Sequence, residues 1–237
     1  MLVRMFAVGA VWDILMRSKP DVTDINRAAM ISYGMLAVVL AQVLTWWDGP
    51  HVYVIDRIRQ GTITTDLRWP IYFPIQIFAR SLGDSLAALI TCVIPGYLFG
   101  LVLLGLQPPV SLAAASLFLC SLVFSYVLMF QLNFLLGLIG FYTLRITGVG
   151  HFYHGIITLF SGVVVPLWLF PPALRAIANM LPFSGLFSTP VSVYIGKLTG
   201  IDGGLRLFHQ ATWTLILSII IGLVWRRTYH YISVQGG

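Results

Sequence analysis

The chain has 237 residues, of which 58% are hydrophobic and only 9% are charged, a balance that excludes a soluble domain of this length and predicts a polytopic membrane protein. Its formal charge of +6 comes from 14 basic and 8 acidic residues. The basic residues stand singly or in pairs between apolar runs, which excludes the clustered basic face of a nucleic-acid-binding protein and is typical of residues that flank membrane spans.

Six apolar runs predict an all-α membrane protein with six transmembrane helices, organised as a single domain over residues 1–237. The runs cover residues 1–16, 28–47, 82–106, 110–144, 152–170 and 205–225. The first run is shorter than the ~20 residues that a spanning helix needs, and it contains Arg4 and Asp13. The second ends at Trp46 and Trp47, as expected where a helix meets the membrane–water interface.

A polar and amphipathic segment, residues 51–80, separates the second and third runs. Within it, residues 55–70 carry the densest charge in the chain. Asp56 and Arg59 are three residues apart and can pair on a helix, and Gly61 can end that helix in a left-handed cap. On these residues alone, the segment is compatible with a solvated loop at the membrane surface.

The fourth run contains two uncharged amides, Gln131 and Asn133. Lipid offers such groups no partner, so they are expected to face other helices. Hydrogen bonding between helices and the lining of a substrate path are both compatible with this position. His151 and His154 could share one helix face, but no further cluster of ligands completes a metal site, so we expect histidines at the interface and no bound metal.

Five prolines interrupt residues 161–196. They are Pro166, Pro171, Pro172, Pro182 and Pro190. Each removes a backbone donor and disfavours the helical conformation of the residue before it, so the chain must break and turn here. The pattern predicts a broken helical lid between the fifth and sixth spans, over residues 171–204.

The sequence lacks the patterns of a nucleotide site or a catalytic site. A phosphate loop ending at Gly196 and Lys197 would need a glycine at position 191, where the chain has Val191. There is no glutamate, no G-x-S-x-G and no pair of aspartates at catalytic spacing. We therefore expect no catalytic residue and no enzyme activity on this chain.

The order of elements in residues 161–196 is a small-residue pair followed by V-P, L-F-P-P, L-P-F, P-V and Y-I-G. This order resembles the corresponding segment of ABC-2 type permeases, in particular the branch whose members work as paired membrane subunits served by a separate ATPase. The resemblance implies an exporter subunit in a prokaryotic plasma membrane, in contact with lipids and with a second permease subunit, homologous or identical. It also implies that ATP and Mg²⁺ bind to the partner ATPase.

In this family the segment after the second span is used as a coupling helix that lies in a groove of the ATPase. The residues of this chain that match the family pattern are Ile55, Arg59, Gly61, Leu67, Arg68 and Pro70. The neighbouring charged residues Asp56, Arg57 and Asp66 complete the set that we expect to couple the chain to the ATPase.

The resemblance also implies that the lid faces outward. Its expected residues are Pro166, Pro171, Pro172, Leu174, Ile177, Pro182, Phe183 and Pro190. The prolines from 171 to 182 delimit a helix of about ten residues with an amphipathic pattern. We expect its apolar side, which includes Leu174, Ile177, Ala178 and Leu181, to cover the outer mouth of a path, and Arg175 and Asn179 to face water.

The distribution of basic residues favours cytoplasmic termini. With six spans, eight basic residues lie near one set of helix ends and six near the other, and basic residues prefer the cytoplasmic side. The resemblance implies the same orientation. The alternative function from another class is a membrane-embedded, lipid-modifying enzyme, which would need ionisable residues clustered at the membrane face.

Overall fold

The computed structural model describes residues 1–18, 25–44, 49–142 and 147–235, and the regular structure in these ranges is helical. The α-helices are α1 (Leu2–Ser18), α2 (Arg27–Val43), α3 (Pro50–Arg59), α4 (Ile63–Asp66), α5 (Phe73–Ala88), α6 (Ile94–Leu103), α7 (Leu112–Ile139), α8 (Thr147–Phe160), α9 (Pro172–Met180), α10 (Ser188–Tyr194) and α11 (Gly200–Gln235). A π-helical turn, Leu89–Val93, joins α5 to α6, and 3₁₀ turns cover Leu167–Leu169 and Pro182–Gly185.

Within the described ranges, three helices are long and apolar enough to cross a membrane. They are Phe73–Leu103, Leu112–Ile139 and Gly200–Tyr229, which correspond to the predicted third, fourth and sixth spans. Helix α2, the predicted second span, is apolar but has 17 residues, and Trp46 and Trp47 lie outside the described residues. Helices α1 and α8 have 17 and 14 residues. The structure therefore confirms a multi-pass helical membrane protein but not the predicted count of six spans.

The helix of the third span is longer than the sequence predicts. It begins at Phe73, with Pro74 in its first turn, so residues 73–80 of the predicted polar segment belong to it. Its interior contains Pro95, whose ring crowds the carbonyl of the residue four positions earlier and which has no N–H to donate. That residue, Thr91, lies in the wider π-helical turn Leu89–Val93, which accommodates the proline without breaking the helix.

The predicted fifth span, residues 152–170, is not one helix. Helix α8 ends at Phe160, and the chain then bends through residues 161–165 to Pro166, which begins the first 3₁₀ turn. Gly162 has φ of 80°, a left-handed conformation that ends the helix. A methyl group on Gly162 would lie 2.8 Å from the hydroxyl of Tyr33 and 2.9 Å from Cβ of Ser188.

The bundle has two ends that carry different elements. At the first, α3 and α4 pack with the start of α5, the C-terminal half of α7 and Trp225 of α11. At the second, α9 and α10 lie beside the N-terminal parts of α7 and α11. Between them a buried core is centred on α2, with Tyr33, Leu36 and Leu40 almost fully enclosed.

Candidate functional site

The α3–α4 hairpin, residues 50–66, is the structured part of the predicted polar segment. Pro50 occupies the first turn of α3, where its missing N–H costs nothing. The helix ends at Arg59, and Gly61 follows with φ of 67°, so the predicted left-handed stop is confirmed. The helix is longer than predicted, because it begins six residues before Asp56.

Helix α3 lies directly on α7. Val54 is fully buried, and a methyl group on Gly137 of α7 would lie 3.1 Å from Cα of His51 and 3.2 Å from Cβ of Val54. Only a glycine allows this separation without displacement of α3. Phe73 and Phe134 extend the same apolar cluster into α5 and α7. The hairpin is therefore packed onto two of the long spans.

A polar network holds the two helices of the hairpin together. The hydroxyl of Tyr53 donates to Oδ2 of Asp66 at 3.0 Å, and Nε of Arg57 lies 3.2 Å from the same oxygen and 2.9 Å from the hydroxyl. Nη1 of Arg57 also donates to Oγ1 of Thr62 at 3.3 Å. The hydrogen bond that Arg57 donates to Tyr53 raises the pKa of Arg57. We call Tyr53, Arg57 and Asp66 the latch.

The nine expected coupling residues divide into two groups in the structure. Arg57, Asp66 and Ile55 face the protein, and Leu67 is half-buried. The remaining five are exposed: Asp56, Arg59, Gly61, Arg68 and Pro70. The hairpin thus presents a charged outer edge and keeps a charged pair for its own internal structure.

Two cavities flank the hairpin. One, of about 390 Å³, lies between α3 and α5 and is lined by the polar groups of Asp56, Gln60 and Asp84, among others. Arg80 borders it and places its guanidinium carbon 4.2 Å from the ring centroid of Tyr53. The second, of about 380 Å³, separates residues 67–73 from the end of α11, and the exposed Trp69 borders it.

Gln131 and Asn133, the possible path residues, lie at contacts between helices. Nε2 of Gln131 donates to the carbonyl of Thr214 at 2.9 Å and to Oγ of Ser218 at 2.8 Å, both on α11. Oδ1 of Asn133 accepts from the hydroxyl of Tyr153 on α8 at 3.1 Å. Each amide has one further buried atom, Oε1 of Gln131 and Nδ2 of Asn133, without a partner among the described residues.

The lid, residues 171–204, contains the predicted short helix as α9, Pro172–Met180. Its orientation agrees with the prediction only in part. Ile177 is 52% exposed, whereas Arg175 and Asn179, expected to face water, line a small pocket with α10 and α11. Ala178, expected on the inward apolar side, is fully buried, and its small side chain allows close approach.

The prolines of the lid have different local roles. Pro171 precedes α9, Pro172 opens it, and Pro182 opens the second 3₁₀ turn, with Phe183 next to it. The prediction that Pro190 breaks the second piece of the lid is wrong. Pro190 lies in the first turn of α10, where a proline needs no hydrogen-bond partner for its nitrogen.

The lid is attached to the spans by a buried polar network that the sequence analysis missed. Nε2 of Gln210 on α11 donates to the carbonyl of Gly185 at 2.8 Å, and Oε1 accepts from Oγ of Ser121 on α7 at 3.0 Å. Oγ of Ser125 donates to the same carbonyl of Gly185 at 2.7 Å. Gln210 is an amide in an apolar run, so the signal that identified Gln131 could have identified it too.

His51 and His154 lie at a contact between helices. No group of three His, Cys or Asp side chains converges in the part of the chain that the structure describes. The ring of His154 lies 5.8 Å from that of His51, which brings α8 next to α3. These contacts connect helices at the hairpin end of the bundle.

Comparison with known proteins assigns the chain to a family. A family model described as ABC-2 family transporter protein matches residues 2–235, which is nearly the whole chain. Curated proteins and solved structures give no significant match. Since the match includes the hairpin, the long spans and the lid together, the chain belongs to the ABC-2 family and is a membrane component of an ABC transporter.

Proposed function

We propose that this chain is a permease subunit of an ATP-driven exporter and that a separate ABC ATPase docks on the outer edge of the α3–α4 hairpin. The substrate then moves through a path formed with a second permease subunit, homologous or identical. ATP and Mg²⁺ bind to the ATPase. The membrane is a prokaryotic plasma membrane, with the hairpin and both termini on the cytoplasmic side and the lid outside.

One observation carries the proposal: the hairpin combines an exposed charged edge with a rigid attachment to the spans. Asp56 and Arg59 are exposed on the outer edge, while the latch fixes α3 to α4. Val54 and the close contact at Gly137 connect α3 to α7. A force applied at the edge therefore reaches a membrane span through packed contacts, which is what coupling to an ATPase requires.

The proposed path uses the two amides of α7. Gln131 and Asn133 bind α11 and α8 through one polar group each and keep a second buried polar atom without a partner among the described residues. Separation of these helices would expose both amides to a polar substrate or to water. This supports a path beside α7, and the second permease subunit would supply its other wall.

The docking proposal is tested with a charge reversal at the outer edge. Arg59→Glu should reduce the amount of ABC ATPase that copurifies with the tagged chain by about tenfold, or about 1.4 kcal/mol of binding, because charges at a docking surface determine association and register. Transport-stimulated ATP hydrolysis should fall with it. Membrane insertion should not change, since Arg59 is exposed.

Arg227→Glu is the matched control, because Arg227 is also exposed and also lies at the hairpin end, on α11. It should retain copurification and transport. If Arg59→Glu retains both as well, the outer edge of the hairpin is not the docking site. The docking site must then be sought in residues 145–154, of which Arg145 lies outside the described residues.

A further inference from the structure

Every lysine and arginine between residues 147 and 225 lines one small pocket at the lid. These residues are Arg175 on α9, Lys197 after α10 and Arg206 on α11. The pocket has a volume of about 130 Å³. The three cations are separated by 22 and 9 residues along the sequence, so the folding of the lid brings them together.

Hydrogen-bond donors line the pocket. Nε1 of Trp168 and Nε of Arg175 are buried and have no partner among the described residues. Nζ of Lys197 lies 5.9 Å from the ring centroid of Trp168. Ser192 and Asn179 add further polar groups to the lining.

No acidic side chain of the described residues lines the pocket, although the charge of Asp202 acts on Arg206 from outside it. Asp202 is the only acidic residue between positions 147 and 225. It lies one helical turn before Arg206, is exposed, and is not part of the pocket lining. Three like charges around a partly buried space repel one another, so a bound anion would stabilise the arrangement.

We infer that this pocket binds a phosphate group, from either an anionic lipid headgroup or free phosphate. Its donors come from the first 3₁₀ turn, α9, α10, the loop after α10 and α11. A tetrahedral oxyanion can accept hydrogen bonds from all these directions, whereas a planar carboxylate presents only two oxygens. The volume corresponds to about four water molecules, which suits one phosphate group. The inference does not depend on ATPase docking.

Two probes distinguish the sources of the phosphate group. In neutral detergent, sodium phosphate should raise the Tm of the full chain by several degrees above sodium chloride of equal ionic strength if the pocket takes free phosphate. If it takes a lipid, native mass spectrometry should show phosphatidylglycerol retained in preference to phosphatidylcholine, with no effect of phosphate on Tm.

Variants that remove positive charges test whether the phosphate group binds in this pocket. The double variant Lys197→Gln with Arg206→Gln should weaken the binding of phosphate or of phosphatidylglycerol, whichever is observed, at least tenfold. Lys197→Arg should preserve it. The matched control is Arg226→Gln with Arg227→Gln, which removes two charges from the other end of the same helix and should leave the response unchanged.

Asn179→Asp tests the inference without removing any contact of the cations. The new carboxylate would occupy the pocket as an internal anion, so the Tm of the ligand-free protein should rise and the response to the probe should disappear. A chain that binds neither probe overturns the inference. So does an Asn179→Asp variant that binds as the native chain does, or a control that loses as much binding as the double variant.

Discussion

At the scale of single residues, the latch shows how a buried charge is used. The side chain of Asp66 is only 8% exposed. It accepts a hydrogen bond from Tyr53 and forms an ion pair with Arg57. Removing the Asp66 carboxylate from water costs much of what its attraction to Arg57 returns. The ion pair therefore adds little net stability, and its main effect is to fix the position of α4 against α3. Loss of one partner leaves the charge of the other uncompensated.

The latch predicts a specific effect of Asp66→Asn. The variant keeps the size of the side chain but leaves the guanidinium of Arg57 without its counter-charge, so the free energy of unfolding should fall by about 1–3 kcal/mol. Thermal unfolding in detergent measures this as a lower Tm. Coupling should weaken as well, because the hairpin loses rigidity.

Asp56→Asn is the control for that measurement, since it makes the same chemical change at an exposed position of the same hairpin. Its effect should stay within about 0.5 kcal/mol. Equal losses in the two variants would contradict the structural role of the latch.

At the scale of elements, the end of α8 depends on one glycine. Gly162→Ala should lower the free energy of unfolding by about 2–4 kcal/mol, because a left-handed alanine is strained and its methyl group would press on Tyr33 and Ser188. Gly155→Ala, inside α8, has open space around the new methyl group and should change stability by no more than about 1 kcal/mol. Comparison of the two Tm values checks this, and similar values would show that α8 does not need to end at Gly162.

The sequence predicts those elements whose signals are local. Gly61 marks the end of α3, the prolines at 171 and 172 mark the start of α9, and long apolar runs mark the third, fourth and sixth spans. The end of α8 escapes prediction because hydropathy continues across Gly162, and the break is fixed by contacts with Tyr33 and Ser188, which are distant in sequence.

The candidate site, too, can be predicted from the sequence only in part. Sequence identifies the charged residues of the hairpin, but it cannot separate Arg57, which is used internally, from Arg59, which is exposed. It also assigns Arg175 to water, since an amphipathic helix is assumed to turn its charges outward. The fold instead places Arg175 in the lining of a pocket shared with two cations from other elements, an arrangement that no local pattern encodes.

At the scale of the whole molecule, the proposed orientation can be tested by labelling. The background should replace Cys92 and Cys120, which are both free and exposed. In intact cells, Asp202→Cys should react with an impermeant maleimide and Gln60→Cys should not, because the lid is expected outside and the hairpin inside. Both positions are exposed, so access to the thiol is decided by the membrane. Reaction at position 60 from outside would reverse the orientation.

Helix α7 contacts both ends of the bundle as one continuous helix. Gly137 touches α3 at one end, and Ser121 and Ser125 hold Gly185 and Gln210 of the lid end. At 1.5 Å per residue, Gly137 lies roughly 18 Å from Ser125 and roughly 24 Å from Ser121, and residues 112–136 contain neither proline nor glycine to act as a hinge. A displacement of α3 that carries α7 with it must therefore either move the anchor of the lid or break its hydrogen bonds, so such a displacement of the hairpin reaches the lid.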